Sequence, residues 1–148
     1  MIRQATKYDI PKITEMMREY ANEAPVETLK DPINQNEQYF SQLIYELISG
    51  KGFVLVDNEL NGMLIALITQ NVWCPKVIEL KELAWWVKPE HRKGTLGGKL
   101  WLEFNKISEE LLDSGRINIV CSTVMVNSPD INYEKRGYKK LETTYFKE

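Results

Sequence analysis

Between Phe53 and Val87 the chain strings together three strand-like apolar segments, with helix-period segments before and after them. This switch of period constrains the fold most, because it sets a central sheet between helical layers. Phe53-Val54-Leu55-Val56 reads as one strand and Asp57-Asn58-Glu59 as a turn. Leu60 to Thr69 is its partner, interrupted by Asn61-Gly62, and Val77 to Val87 is a third strand stopped by Pro89. Upstream, Ile2 to Ala5 is a short strand and Thr6 a helix N-cap. Ile10, Ile13, Met17 and Tyr20 then mark one apolar helix face, and Phe40, Leu43, Ile44, Leu47 and Ile48 a second. Between these helices, Ala21–Asn36 contains Pro25 and Pro32 and reads as a loop. Downstream, Leu96, Leu100, Phe104, Ile107 and Leu111 define a long helix closed by Ser114-Gly115. Ile117 to Cys121 is a further strand, followed by a short helix near Ser128–Lys135 and a terminal strand around Thr143–Phe146. The order β-α-α-β-β-β-α-β-α-β predicts one domain over residues 1–148, of α/β (α+β) class. Its expected sheet is mixed and twisted, with about six to seven strands and helices on both faces.

At 148 residues the chain suffices for one proper core, and 43% hydrophobic with 27% charged residues is globular composition. A net charge of −2 supplies no global field for nucleic acid or for an anionic membrane. The longest apolar run, Met63 to Ile68, is strand-sized, and the N-terminus lacks the apolar stretch of a signal peptide. A cytoplasmic protein is therefore expected. Cys74 and Cys121 lie outside any Cys-x-x-Cys spacing and read as reduced core thiols. His91 is the only histidine, which excludes multi-histidine metal sites, and no metal is expected.

The chemically informative stretch runs from Val87 to Leu100, between the third long strand and the longest helix. Lys93-Gly94-Thr95-Leu96-Gly97-Gly98-Lys99 places three glycines and two lysines at that turn. Glycines allow close backbone approach, and the helix N-terminus adds unpaired donors and positive potential, which together suit a phosphate. The Walker A and dinucleotide-binding fingerprints are both absent.

Val87-x-Pro89-x-x-Arg92, with Gly97 and its companions Leu96, Lys99 and Leu100, resembles motif A of the GNAT family of N-acetyltransferases. Thr95 stands where that family's first glycine sits, with Gly94 just before it. Tyr133-Glu134-Lys135-Arg136-Gly137-Tyr138 resembles the family's motif B, and Asn61-Gly62-Met63 the start of its third strand. The resemblance implies an acyl-CoA N-acyltransferase fold and acetyl-CoA as co-substrate. The CoA pyrophosphate would rest on the turn formed by Arg92, Lys93, Gly94, Thr95, Leu96, Gly97, Gly98 and Lys99. Backbone donors near Trp86 and Val87 would hold the pantetheine arm and polarise the thioester, in a gap between the strands ending at Val87 and containing Cys121. Tyr133 matches the tyrosine that protonates the departing thiolate in many members. Asn127 is read as a helix cap first and a cofactor contact second.

The general base is chosen from two carboxylates. An ammonium acceptor must lose a proton before it attacks, and Glu79 and Glu82 both lie on the relevant strand. Their odd spacing puts them on opposite faces of a regular strand. Glu82 is preferred as nearer the thioester position, and a β-bulge between the two would reverse the choice. The implied reaction is transfer of an acetyl group to a primary amine by direct attack, the acceptor being a small molecule or a peptide. Neither nucleic acid nor membrane is an expected partner, and a homodimer is left open. Two alternatives stand beside this reading: a catalytically degenerate CoA-binding module, which Thr95 favours, and a cofactor-free protein-interaction domain using the Ala21–Asn36 loop.

Overall fold

The computed structural model describes residues 1–148. Five strands form one mixed sheet in the order β1-β2-β3-β4-β5: Ile2–Gln4, Gly52–Asp57, Gly62–Gln70, Ile78–Val87 and Ile119–Cys121. The first four are successively antiparallel, and β5 joins β4 in parallel. The helices are α1 (Ile10–Glu23), α2 (Glu27–Lys30), α3 (Glu37–Glu46) and α4 (Leu96–Asp113). The parallel β4–β5 pair requires a long crossover between them, and α4 supplies it.

Alternation along the strands divides the core into two layers. Val54, Val56, Met63, Ile65, Ala84 and Trp86 face Ile13 and Met16 of α1 and Ile44 of α3. Phe53, Leu55, Leu64, Ala66 and Leu80 face Leu100, Trp101, Phe104 and Leu111 of α4. The central strands are thus covered on both faces, which is why β2 and the start of β3 read as nearly unbroken apolar runs rather than alternating ones. Each large side chain buried here contributes about 1.5–3 kcal/mol. At Gly52 a β-carbon would lie 2.0 Å from the Ala66 carbonyl oxygen, so the chain enters β2 only with glycine there.

The sheet has five strands, short of the six to seven expected. Thr143–Phe146 forms no strand despite its β-branched and aromatic content, because strand propensity expresses the fit to a neighbouring pleated surface and none is offered. The tail is held instead at its end, where Oε1 of Glu148 accepts from the backbone N–H and the hydroxyl of Thr28 at 2.8 and 3.0 Å. The helix expected near Ser128–Lys135 reduces to a single 3₁₀ turn, Glu134–Arg136. Conversely, the Ala21–Asn36 stretch contains α2 and a 3₁₀ turn at Pro32–Asn34. Pro32 is tolerated there because the first helical position needs no N–H. Both cysteines are free thiols, but Cys74 is exposed in the β3–β4 loop and only Cys121 is part-buried.

A bidentate ion pair ties β1 to the helical layer. Arg3 donates to both carboxylate oxygens of Asp9 at 2.7 and 3.0 Å, and Asp9 also accepts from the Thr6 N–H at 2.8 Å. The Arg3 guanidinium, more than burial opposes, holds the Asp9 carboxyl down at about 2. A depressed carboxylate contributes stability above its unfolded value near 4 and loses it as pH falls towards 2. Because Arg3 is one-third exposed, Asp9→Asn is expected to lower stability by only ~1–2 kcal/mol at pH 7, and by little at pH 2. Denaturant melts at the two pH values check this.

Candidate active site

The sheet opens at one place. Glu79, Leu80 and Lys81 of β4 pair with Ile119, Val120 and Cys121 of β5, and the pairing stops there. From Glu82 to Val87, β4 continues along β3 alone, leaving its other edge without a strand partner. The opening coincides with an irregularity: Ala66 faces Glu82 while Ile65 faces Ala84, so Leu83 is the extra residue of a β-bulge. A bulge increases local twist, and this one follows directly on the last residues of β4 that pair with β5. It lies beyond Glu82 rather than between the two carboxylates, so Glu79 and Glu82 keep the opposite orientations their spacing implies.

Their surroundings differ accordingly. Glu79 is occupied: it accepts from Asn71 Nδ2 at 2.7 Å and lies 3.5 Å from Lys81 Nζ. Glu82 is equally buried, 7% exposed, yet its Oε2 has no hydrogen-bond partner. Burial raises its pKa to about 7, with the Thr123 backbone N–H pulling weakly the other way. A buried carboxyl poised near neutrality and lacking a partner is a common property of catalytic groups.

Two more orphan groups belong to the same opening. The Tyr133 hydroxyl and Ser122 Oγ are both buried without a partner that meets hydrogen-bond geometry. Ser122 directly follows the last paired residue of β5, and Tyr133 packs edge-on against Tyr138 with ring centroids 5.2 Å apart. Burial first, and the Glu82 charge second, raise Tyr133 to about 12, so it stays a phenol able to donate. Tyr20 of α1 is raised to about 12 for the same two reasons. The sequence placed Tyr20 only on a helix face, and nothing in its spacing signalled that it feels Glu82. Glu82 and Ser122 both act on Tyr133, and buried polar atoms without partners call for an external one.

The turn between β4 and α4 forms the neighbouring wall. After the 3₁₀ turn Pro89–His91, the first helical bond runs from the Lys99 N–H to the Thr95 carbonyl at 3.0 Å. The N–H groups of Leu96, Gly97 and Gly98 therefore precede the ladder, as expected of a helix start. The Gly94 N–H is engaged inside the turn, on His91 O at 3.3 Å. A β-carbon at Gly98 would meet nothing within 4 Å, and one at Gly97 only ordinary contacts with Val87 and Trp85. The protein's own packing does not demand these two glycines, so the space they leave faces outward.

The remaining sequence candidates separate. Trp86 is buried in the α1-side core, whereas Trp85 is part-buried beside Gly97. His91 is exposed. Lys93 and Lys99 form no ion pair, but Arg92 folds back: Nε donates to Val87 O at 2.8 Å, and Nη2 to both carboxylate oxygens of Glu23 at 2.7 and 2.8 Å. Asn127 starts no helix, contrary to its expected cap role; its Nδ2 donates instead to the Glu23 carbonyl at 2.7 Å. A depression of about 280 Å³ beside the start of α4 is lined by Asp57, Asn61, Thr95 and Lys99 but contains none of Glu82, Ser122 or Tyr133. It borders the β4–α4 turn itself, at His91, Gly94, Thr95, Leu96 and Lys99, between that turn and the start of β1. No cluster of His, Cys, Asp or Glu has the arrangement of a metal site, and no helix is long and apolar enough to cross a membrane.

Neither protein-family models nor curated proteins match the sequence. Solved structures do match, over the whole chain. A predicted acetyltransferase with acetyl-CoA from Clostridium acetobutylicum superposes with a TM-score of 0.73 at 9% identity, covering 100% of this chain and 95% of that one. An acetyltransferase from Trypanosoma brucei gives 0.65 at 15% identity, covering 100% and 98%. The chain has the GNAT fold. A Pyrococcus furiosus protein named as an acetyl transferase gives 0.64 at 21% identity, again covering 100% and 98%. In this GNAT fold the opening between β4 and β5, the crossover helix and its glycine turn come together on one side of the sheet.

Proposed function

We propose that the protein is an acetyl-CoA-dependent N-acetyltransferase acting on a primary amine. The observation that carries this is the meeting of three orphaned buried polar groups, Glu82, Ser122 and Tyr133, at the point where β4 leaves β5. The GNAT fold and the solved relative with acetyl-CoA support the choice of donor.

The residues present fit CoA. Its pyrophosphate matches the helix-start N–H groups of Leu96, Gly97 and Gly98, the cations Lys93 and Lys99, and the outward space at Gly98. Arg92 is the further cation of that wall. The unpaired β4 edge near Trp86 and Val87 suits the amides of the pantetheine arm, and one such edge group, the Val87 carbonyl, already accepts from Arg92. Bound there, acetyl-CoA supplies an acyl group activated as a thioester.

The chain's own residues then manage two protons. Glu82, ionised above about pH 7, takes one proton from the ammonium of the acceptor, directly or through water, leaving a neutral nitrogen. That nitrogen forms the new N–C bond as the C–S bond breaks, and the amine's second proton leaves the nitrogen for water. The unpartnered Tyr133 O–H would be the donor to the departing thiolate. A phenol near 12 is a weaker acid than a thiol of about 8.5, so Tyr133 acts by hydrogen bonding while Glu82 is charged. Once Glu82 is protonated, burial still holds Tyr133 up, but the second cause, the Glu82 charge, is gone and the phenol becomes a somewhat better donor. Base and acid are thus coupled in the useful order.

A mass-spectrometric screen of amines with acetyl-CoA tests this. Time-dependent addition of 42 Da to a primary amine (the mass of an acetyl group less a proton, about 42 Da) is the expected result. Tight CoA binding with no acylated product from any amine would leave the binding module as the correct reading.

A further inference from the structure

Glu23 joins the β4–α4 turn to the segment that follows β5. Its carboxylate holds Arg92, which follows the β4 arm, and its carbonyl holds Asn127, which follows the β5 arm. Glu23 is the last residue of α1, so one residue bridges both sides of the opening and anchors the start of the Ala24–Asn36 connection. Among the cations of the glycine turn, only Arg92 is neutralised in this way; Lys93 and Lys99 make no ion pair. The Arg92 guanidinium lies 5.6 Å from the Trp86 ring and its Nε is fixed on Val87 O, so it is aimed rather than floating. Both oxygens of Glu23 sit on the single nitrogen Nη2, while Nη1 makes no protein hydrogen bond.

We propose that Glu23 is a built-in competitor for the anionic cofactor: its carboxylate occupies Arg92 in the free protein and must give way when a diphosphate binds. This rests on the proposed CoA site and adds its regulation. An anion arriving beside Arg92 would lie against Glu23, and like charges at such separations repel. The diphosphate carries more charge and takes the arginine, so the carboxylate swings away. Release of Glu23 also frees the end of α1, and the connection that starts at Ala24, from the β4–α4 turn. Cofactor binding therefore unlatches the two arms that Glu23 joins in the free protein.

The test is CoA affinity measured by calorimetry on the wild type, Glu23→Gln, Arg92→Ala and the double variant. Glu23 and Arg92 are each about two-fifths exposed, so the substitutions are compatible with folding. Glu23→Gln removes the competing charge and is expected to bind CoA about 3–10-fold tighter, equivalent to the ~1 kcal/mol scale of exposed ion pairs. In the Arg92→Ala background the same change is expected to shift affinity by much less, since the pair is already broken. If the wild type binds CoA but Glu23→Gln binds equally or more weakly, the competitor role is overturned while the CoA site stands. If neither protein binds CoA at millimolar concentration, the site itself is wrong and this inference goes with it. Asn127→Ala is a second probe: it cuts the other tether without altering charge and is expected to speed CoA association in stopped flow, an unchanged rate arguing against a latch across both arms.

Discussion

Glu82→Gln is expected to lower kcat by about 10²–10⁴-fold at pH 7, the usual contribution of a positioned base. The wild-type rate should rise through about pH 7 as Glu82 ionises. The variant lacks that limb and should recover as pH approaches the acceptor's own pKa, because more amine arrives without its proton. Glu79→Gln, whose carboxylate is already held by Asn71 and Lys81, should keep the wild-type profile. Pre-steady-state rates across pH for both variants check this, and a wild-type profile in Glu82→Gln would remove Glu82 from the chemistry. Stability supplies an independent readout. A carboxyl whose folded pKa is raised from 4.5 to about 7 is bound to its proton more tightly in the native state. Its stabilising protonation is complete below about 4.5 and lost as pH rises through 7, so charged Glu82 is a burden at pH 8. Glu82→Gln should therefore be more stable than the wild type at pH 8, by up to about 3 kcal/mol, and nearly equal to it at pH 4.5.

Tyr133→Phe carries the second large effect. The hydroxyl has no protein partner, so its loss leaves no orphan behind and removes a buried unsatisfied group. Folding should survive, with stability unchanged or slightly improved. Turnover should fall by about 10²–10⁴-fold if the phenol assists the departing thiolate, with little change in CoA affinity. Donors with better leaving groups offer the discriminating measurement. An acetyl thioester of a more acidic thiol should restore much of the lost rate in Tyr133→Phe, whereas an equal loss with every donor would mean that Tyr133 only packs.

The central sheet was legible because Phe53 to Val87 has a period that no helix shares, and the turn at Gly94–Gly98 was legible from residue types alone. The opposite facing of Glu79 and Glu82 also followed from parity, which survives because the bulge falls at Leu83. The bulge itself left no trace in the sequence, since it is a property of two strands in register. The tail was misread because Thr143–Phe146 has the residues of a strand without a strand to pair with. Glu23 was missed as a site residue for a related reason: it was one carboxylate among several in a polar stretch, and its partners Arg92 and Asn127 lie far along the chain. Local chemistry is written in local sequence, whereas a partner 69 or 104 residues away is set by topology.

The most direct measurement is the thermal unfolding of the wild type and Gly98→Ala with increasing acetyl-CoA. A ligand that binds only the native state stabilises it by about 2.7 kcal/mol at a hundredfold excess over Kd. The account predicts a clear rise in Tm for the wild type. Gly98→Ala should match or exceed the free protein's stability, since its methyl meets only open space in a helix that favours alanine, yet respond to acetyl-CoA about tenfold less sensitively. No rise in Tm for the wild type at millimolar acetyl-CoA would contradict the account.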